Sequence, residues 1–83
     1  MQQIATGYYQ DVANAIVLRA VEDYRNALDG KSYNDWQPSE EILEELEVFF
    51  HSKYFRILTK VSPDYLIEQL RKEHSEKQRK EKQ

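Results

Sequence analysis

Residues 52–70, with the sequence SKYFRILTKVSPDYLIEQL, decide the fold of this chain. Two short apolar stretches, YFRIL and YLIEQL, lie on either side of TKVSP, which combines a helix stop with a helix start. The Ser62 hydroxyl can cap a helix, Pro63 suits the first helical position, and Asp64 brings negative charge to the positive end of the helix dipole. The segment therefore predicts two helices that meet at a fixed corner.

The rest of the chain has the same helical character. Between residues 8 and 28, apolar side chains recur at steps of three and four, which is the period of an α-helix. Gly30 is expected to end this helix, because glycine accepts the left-handed conformation that follows many helices. After a loop at residues 30–38 the helical pattern continues, and the strand signal is weak throughout the chain. The predicted helices are 8–28, 39–51, 53–59 and 63–75.

This pattern predicts an all-α fold, a small three- to four-helix bundle with a basic, solvated C-terminal extension. We interpret residues 1–73 as a single helical domain. Apolar residues end at Leu70, so residues 74–83 are interpreted as a basic tail that is a frayed helix or disordered. The predicted core draws on all four helices and consists of Ile16, Ala20, Tyr24, Leu46, Phe49, Phe50, Phe55, Leu58, Leu66 and Leu70.

Length and composition exclude several kinds of protein. Eighty-three residues suffice for one domain with one small core. The chain has no cysteine, which excludes disulfides, zinc–thiolate sites and cysteine nucleophiles and favours an intracellular setting. The longest apolar run, residues 15–18, is far too short to span a membrane, and the first residues lack the order of a signal peptide. We therefore expect a cytoplasmic protein that does not associate with membranes.

Charge is unevenly distributed along the chain. Residues 71–83 carry six basic and three acidic side chains, whereas the whole chain has a formal net charge of −3. The body is therefore acidic and the tail basic. An acidic body is a poor surface for nucleic acid, whose binding depends on neutralising phosphates. Direct nucleic-acid binding is consequently the less favoured interpretation, and it would have to use the tail.

The candidate binding residues are an acidic cluster and two aromatic side chains in the loop. Five glutamates, the last of them Glu47, fall within residues 40–47 of the second predicted helix, where they could imitate phosphates in the basic groove of another protein. The alternative is that these glutamates only form a solvated helix face, in which the first-turn carboxylates are stabilised by the positive end of the helix dipole. Loop tyrosines and tryptophans are common interface anchors. The predicted partner-binding residues are Glu40, Glu41, Glu44, Glu45, Tyr33 and Trp36.

The signals for catalysis and metal binding are weak. Glu47 and His51 are four residues apart, and with Glu44 they form a geometrically feasible carboxylate–carboxylate–imidazole set. No HExxH pattern supports this set, no glycine-rich phosphate loop is present, and no serine lies in a nucleophile elbow. We therefore expect no enzyme, no catalytic residues, no metal and no cofactor. A metal-dependent enzyme using Glu47 and His51 ranks third among the hypotheses.

Three stretches of the chain carry a resemblance to known sequences. AIVLRAVEDYRNAL, FFHSKYFRILT and YLIEQLRKE resemble parts of small uncharacterised proteins encoded by phages, prophages and conjugative elements of Gram-positive bacteria. The resemblance covers residues 13–73 and assigns no functional residue. It implies a context: small acidic proteins of mobile elements are often inhibitors or adaptors, including anti-CRISPR and other anti-defence proteins, and they usually act by binding one host protein.

The first functional hypothesis is therefore a cytoplasmic protein-binding module of a mobile element. Its partner would be a host or phage protein, such as a defence protein or one with a basic nucleic-acid-binding groove. The alternative is a nucleic-acid-associated accessory or regulatory protein that uses the basic tail. Formation of a homodimer is a further option, because helices of unequal length can leave apolar surface uncovered and exposed apolar surface favours association.

Overall fold

The computed structural model of the chain describes the backbone of residues 2–31 and 36–81 and the side chains of residues 9–31 and 36–80. Within these ranges the chain forms four helices and no strand. The predicted all-α class is therefore confirmed. The helices are α1 (Gln2–Leu28), α2 (Ser39–Phe50), α3 (Lys53–Leu58) and α4 (Pro63–Glu81).

Both corners around α3 are built by serine hydroxyls. The Ser52 hydroxyl donates to the carbonyl oxygen of Phe49 (2.6 Å) and accepts from the amide of Phe55 (3.2 Å), so it ends α2 and caps α3 at once. At the next corner the Ser62 hydroxyl accepts from the amide of Tyr65 (3.4 Å), and α4 begins at Pro63. The corner predicted from residues 52–70 is confirmed.

Gly30 ends α1 as predicted. Its φ of 82° lies in the left-handed region, where the lack of a Cβ removes the steric cost. The Gly30 amide donates to the carbonyl of Ala27 (3.0 Å) and the Lys31 amide donates to that of Asn26 (2.8 Å). This pair of bonds is a Schellman motif, which satisfies carbonyls that would otherwise lack a partner at the helix end.

The core is a cluster centred on aromatic rings, and all four helices contribute residues to it. Tyr24, Phe50 and Phe55 are completely buried, with ring centroids 5.7 Å apart for Tyr24 and Phe50 and 5.4 Å apart for the two phenylalanines. These spacings and tilted planes are favourable for aromatic pairs. Ala20, Val21 and Leu70 complete the cluster, and the partly buried Leu46, Phe49 and Leu66 pack against it.

Two predicted core residues lie elsewhere. Ile16 and Leu58 are only partly buried, and both line a groove that is open to solvent between α1 and α3. Val21, Ala27 and Ile42 are buried, although the predicted core omitted them. The prediction was wrong at these positions because helical periodicity identifies the apolar side of a helix but not how far its neighbours extend along it.

Helices α1 and α4 are longer than predicted. Helix α1 begins at Gln2, and α4 continues to Glu81 although no apolar residue follows Leu70. Polar contacts hold this part of α4 beside α1. Asp29 pairs with the His74 imidazole (3.1 Å) and the Lys77 ammonium (3.4 Å). Periodicity of apolar residues cannot reveal such contacts, and the division of the chain at residue 73 stays a prediction.

We expect Phe50→Ala to destabilise the protein by about 3–5 kcal/mol, because it leaves a cavity at a fully buried position of the aromatic cluster. Val48→Ala on the same helix is the matched control. Val48 is 72% exposed, so its truncation should change the free energy of unfolding by less than about 0.5 kcal/mol. Urea titration followed by circular dichroism measures both values. Equal losses for the two variants would contradict the packing described above.

Two truncations test the contribution of the tail. Removal of residues 79–83 should leave the thermal midpoint nearly unchanged, because the described side chains among them are exposed. Removal of residues 74–83 also deletes both partners of Asp29 and should lower the midpoint by about 2–6 °C. Scanning calorimetry compares the two. Equal midpoints would show that residues 74–83 add nothing to stability, as the division at residue 73 implies.

Candidate protein-binding site

Helix α2 has one face held against the core and one face directed to solvent. Ile42 and Phe50 are completely buried, which fixes the rotation of the helix about its axis. Since successive residues are turned by about 100°, the opposite side carries a continuous set of exposed residues. We call this set the acidic face; it consists of Glu40, Glu41, Glu44, Glu45 and Val48.

The four carboxylates of the acidic face have no cationic partner among the described residues. No ion pair or side-chain hydrogen bond involves any of them there, and α2 itself carries no basic residue. Glu40 and Glu41 lie in the first turn, where the helix dipole favours negative charge. By contrast, several acidic residues elsewhere are paired with cations or histidines: Asp23, Asp29, Glu47, Asp64 and Glu73.

An apolar side chain lies at the C-terminal end of the acidic face. Val48 is 72% exposed and follows Glu44 and Glu45 by four and three residues, so it lies one turn along the same surface. The sequence prediction did not include this residue. The spacing of Val48 from the glutamates was the available signal, but an exposed valine is evident only once the core is known.

The two loop aromatics differ in what the structure reports. Trp36, which precedes the start of α2 by three residues, is 83% exposed and so presents nearly its whole indole to solvent. Tyr33 lies outside the described residues. Trp36 therefore has the exposure that a binding anchor requires, and the anchor roles of Trp36 and Tyr33 both stay predictions.

Glu47 belongs to the same acidic run but points to the other side. Its carboxylate oxygen Oε2 accepts from the Tyr24 hydroxyl (2.7 Å) and from the Arg71 guanidinium (2.8 Å). Partial burial alone would raise the pKa of Glu47, yet these two hydrogen bonds outweigh it and lower that pKa. Burial and the bond to Glu47 raise the pKa of Tyr24. Glu47 is thus a charged structural group and not part of the acidic face.

His51 is engaged at both ring nitrogens. Nδ1 lies 2.8 Å from the carbonyl oxygen of Glu47, and Nε2 lies 2.8 Å from Oδ1 of Asp64. Both neighbours are acceptors, so both contacts are hydrogen bonds only when the imidazole carries two protons. The bonds to Asp64 and to the carbonyl raise the pKa of His51 above its ordinary value of 6.5.

The proposed metal set of Glu44, Glu47 and His51 is not brought together. Glu47 turns towards Tyr24 while His51 turns towards Asp64, so the two side chains do not converge. Within the described ranges, no group of three or more His, Cys, Asp or Glu side chains has the arrangement needed to hold a metal ion.

Comparisons of the chain with protein-family models, with curated proteins and with solved structures found no match. Among the described helices, none is both long enough and apolar enough to cross a membrane. The assignment of a function therefore depends on the surfaces of this chain and on the physical chemistry of their residues.

The contact between His51 and Asp64 predicts a pH-dependent stability. Because the folded-state pKa of His51 is raised, the contact stabilises the protein fully below about pH 6.5 and is lost as the pH rises through the raised pKa. Asp64→Asn removes the contact. The difference in unfolding midpoint between wild type and this variant should be largest near pH 5.5–6 and smaller above about pH 8.

Thermal unfolding at a series of pH values measures this difference, and the imidazole proton signals of His51 in NMR report its pKa directly. The variant should lower that pKa towards 6.5. A midpoint difference that stays constant across the pH range would mean that the contact does not depend on the protonation of His51.

Proposed function

We propose that the chain is a protein-binding module of a mobile genetic element, acting in the cytoplasm on a host or phage protein with a basic groove. The acidic face of α2 is the contact surface. The protein would inhibit its partner, or act as an adaptor for it, as small anti-defence proteins do. It would do so by occupying a groove that otherwise receives nucleic acid. The observation that carries this proposal is the set of four exposed carboxylates, unpaired among the described residues, with the exposed Val48 at the C-terminal end of the same face.

Binding through this face would break no existing contact. The four glutamates have no ion pair with any described residue, so a cationic partner need not compete with an internal one. The buried Ile42 and Phe50 hold the helix in place, which limits the conformational entropy lost on association. Val48 adds an exposed apolar side chain at the C-terminal end of the acidic face, next to Glu44 and Glu45.

The alternative function, nucleic-acid association through the basic tail, has less charge available than the sequence suggests. Arg71 already bonds to Glu47, and Lys77 pairs with Asp29. Lys72, Arg79 and Lys80 remain exposed and could contact phosphates. A gel-shift assay at low and at high salt tests this alternative, since phosphate binding must weaken steeply as salt rises.

Charge reversal tests the acidic face. Glu44→Lys with Glu45→Lys should strongly reduce capture of the partner from extracts of the host bacterium, and should slow association with the purified partner by about tenfold or more at low salt. Both residues lie beyond the first turn, so reversal avoids the sites most sensitive to the helix dipole. Quantitative mass spectrometry of captured proteins and surface plasmon resonance provide the readouts.

The matched control is Glu68→Lys with Glu76→Lys, which makes the same change in net charge at exposed positions of α4. This control should retain most of the binding. Trp36→Ala should mainly speed dissociation, because an anchor acts after encounter whereas exposed charges steer it. If the reversed variant binds as well as wild type and with the same salt response, the acidic face is only a solvated helix surface and the proposal is wrong.

A further inference from the structure

A second exposed surface lies between α1 and α3. We call it the α1/α3 groove. It has a volume of about 570 Å³ and is open to solvent. On α1 the groove is lined by the same apolar side of the helix that is buried farther along at Ala20 and Tyr24. Its walls come from the first half of α1 and from the outer side of α3: Tyr9, Gln10, Val12, Ala13, Ile16, Tyr54, Ile57 and Leu58.

The groove contains large apolar side chains that the fold leaves uncovered. Ile57 is 81% exposed, Tyr9 71%, Tyr54 52% and Val12 38%. Taking about 150–250 Å² for an aromatic side chain and about half of that for an aliphatic one, these residues expose about 400 Å² of mainly apolar surface. A homodimer interface of standard size buries about 800 Å² on each subunit, of which about two thirds is apolar. The groove therefore supplies most of what one subunit of a stable dimer needs.

The charge of the groove favours a second copy of this chain as its occupant. In a two-fold dimer the same patch meets itself, so any net charge on the patch is repelled by its own copy. None of the described residues that line the groove is charged. The acidic face fails this requirement, because its four glutamates would meet four others. Lys53 and Arg56 of α3 lie outside the lining, so the groove offers no cation to an acidic ligand.

We propose that the α1/α3 groove is a homodimer interface, in which the exposed stripe of α1 from each copy covers the groove of the other. This inference concerns a surface separate from the acidic face and goes beyond the proposed function. Its consequence is that one assembly carries two acidic faces. A partner with two basic sites at a suitable separation would then be bound with avidity, without any additional contact within each site.

Sedimentation velocity over a concentration series, in the absence of any partner, tests the interface. Wild type should pass from monomer to dimer as concentration rises. Ile57→Ser should raise the dimer dissociation constant about tenfold or more, because it replaces an apolar side chain that is buried only in the dimer. Since Ile57 is exposed in the monomer, the substitution should leave the far-ultraviolet circular dichroism spectrum unchanged. Val12→Ser on the opposite wall provides an independent variant.

Leu18→Ser is the matched control. Leu18 is 66% exposed on α1 but does not line the groove, so this variant should dimerise like wild type. The uncharged interface should also persist at high salt, unlike a contact made by the acidic face. A wild-type protein that stays monomeric at every concentration would overturn the proposal. So would a dimer that survives both groove substitutions, or one that dissociates at high salt and on reversal of Glu44 and Glu45.

Occupation of the groove by a different protein is a further outcome that overturns the proposal. It would be recognised by a wild type that remains monomeric while Ile57→Ser, but not Leu18→Ser, weakens capture of a host protein. Because dimerisation is measured without a partner, its failure would leave the proposal for the acidic face intact.

Discussion

The hydrogen bond from the Tyr24 hydroxyl to Glu47 is the contact on which the arrangement of the helices depends. The ring of Tyr24 is completely buried in the aromatic cluster, so its hydroxyl needs a partner inside the protein. Glu47 provides that partner from α2 at 2.7 Å. Arg71 of α4 donates to the same carboxylate oxygen and lies 5.8 Å from the centre of the Tyr24 ring. The carboxylate of Glu47 thus joins α1, α2 and α4. Its ion pair with Arg71 neutralises the negative charge of Glu47 at the edge of the core.

This contact also determines which glutamates reach solvent. Helix α2 cannot rotate about its axis without separating Glu47 from Tyr24 or moving Phe50 out of the aromatic cluster. Neighbouring glutamates on one short helix consequently have different roles. Glu47 is half-buried and bonded twice, whereas Glu44 and Glu45 are exposed and unpaired among the described residues. The acidic face is therefore a consequence of core packing, whatever it binds.

Local signals in the sequence predicted the corners and the helical class, because they depend on neighbours in the chain. Ser62, Pro63 and Gly30 act within a few residues of themselves, and the structure places them as expected. Contacts at the edges of the helix faces were not predictable in this way. Glu47 and His74 lie where a helical face turns from core to solvent, and only the position of another helix decides their role. The four glutamates of the candidate site are exposed, while their role in binding stays a prediction; the sequence prediction did not include the exposed Val48.

Unequal helix lengths explain why the groove exists at all. Helix α1 has 27 residues and is about 40 Å long, whereas α2 has 12 residues and is about 18 Å long. The contacts of Asp29 with His74 and Lys77 hold α4 beside the C-terminal end of α1. At the other end of α1, the six residues of α3 provide one wall of an open groove and cover the apolar stripe only in part. The described residues contain no further helix that covers the remainder. The packing that encloses Tyr24 at one end of α1 therefore leaves Ile57 and Val12 exposed at the other, where the proposed second copy would bury them.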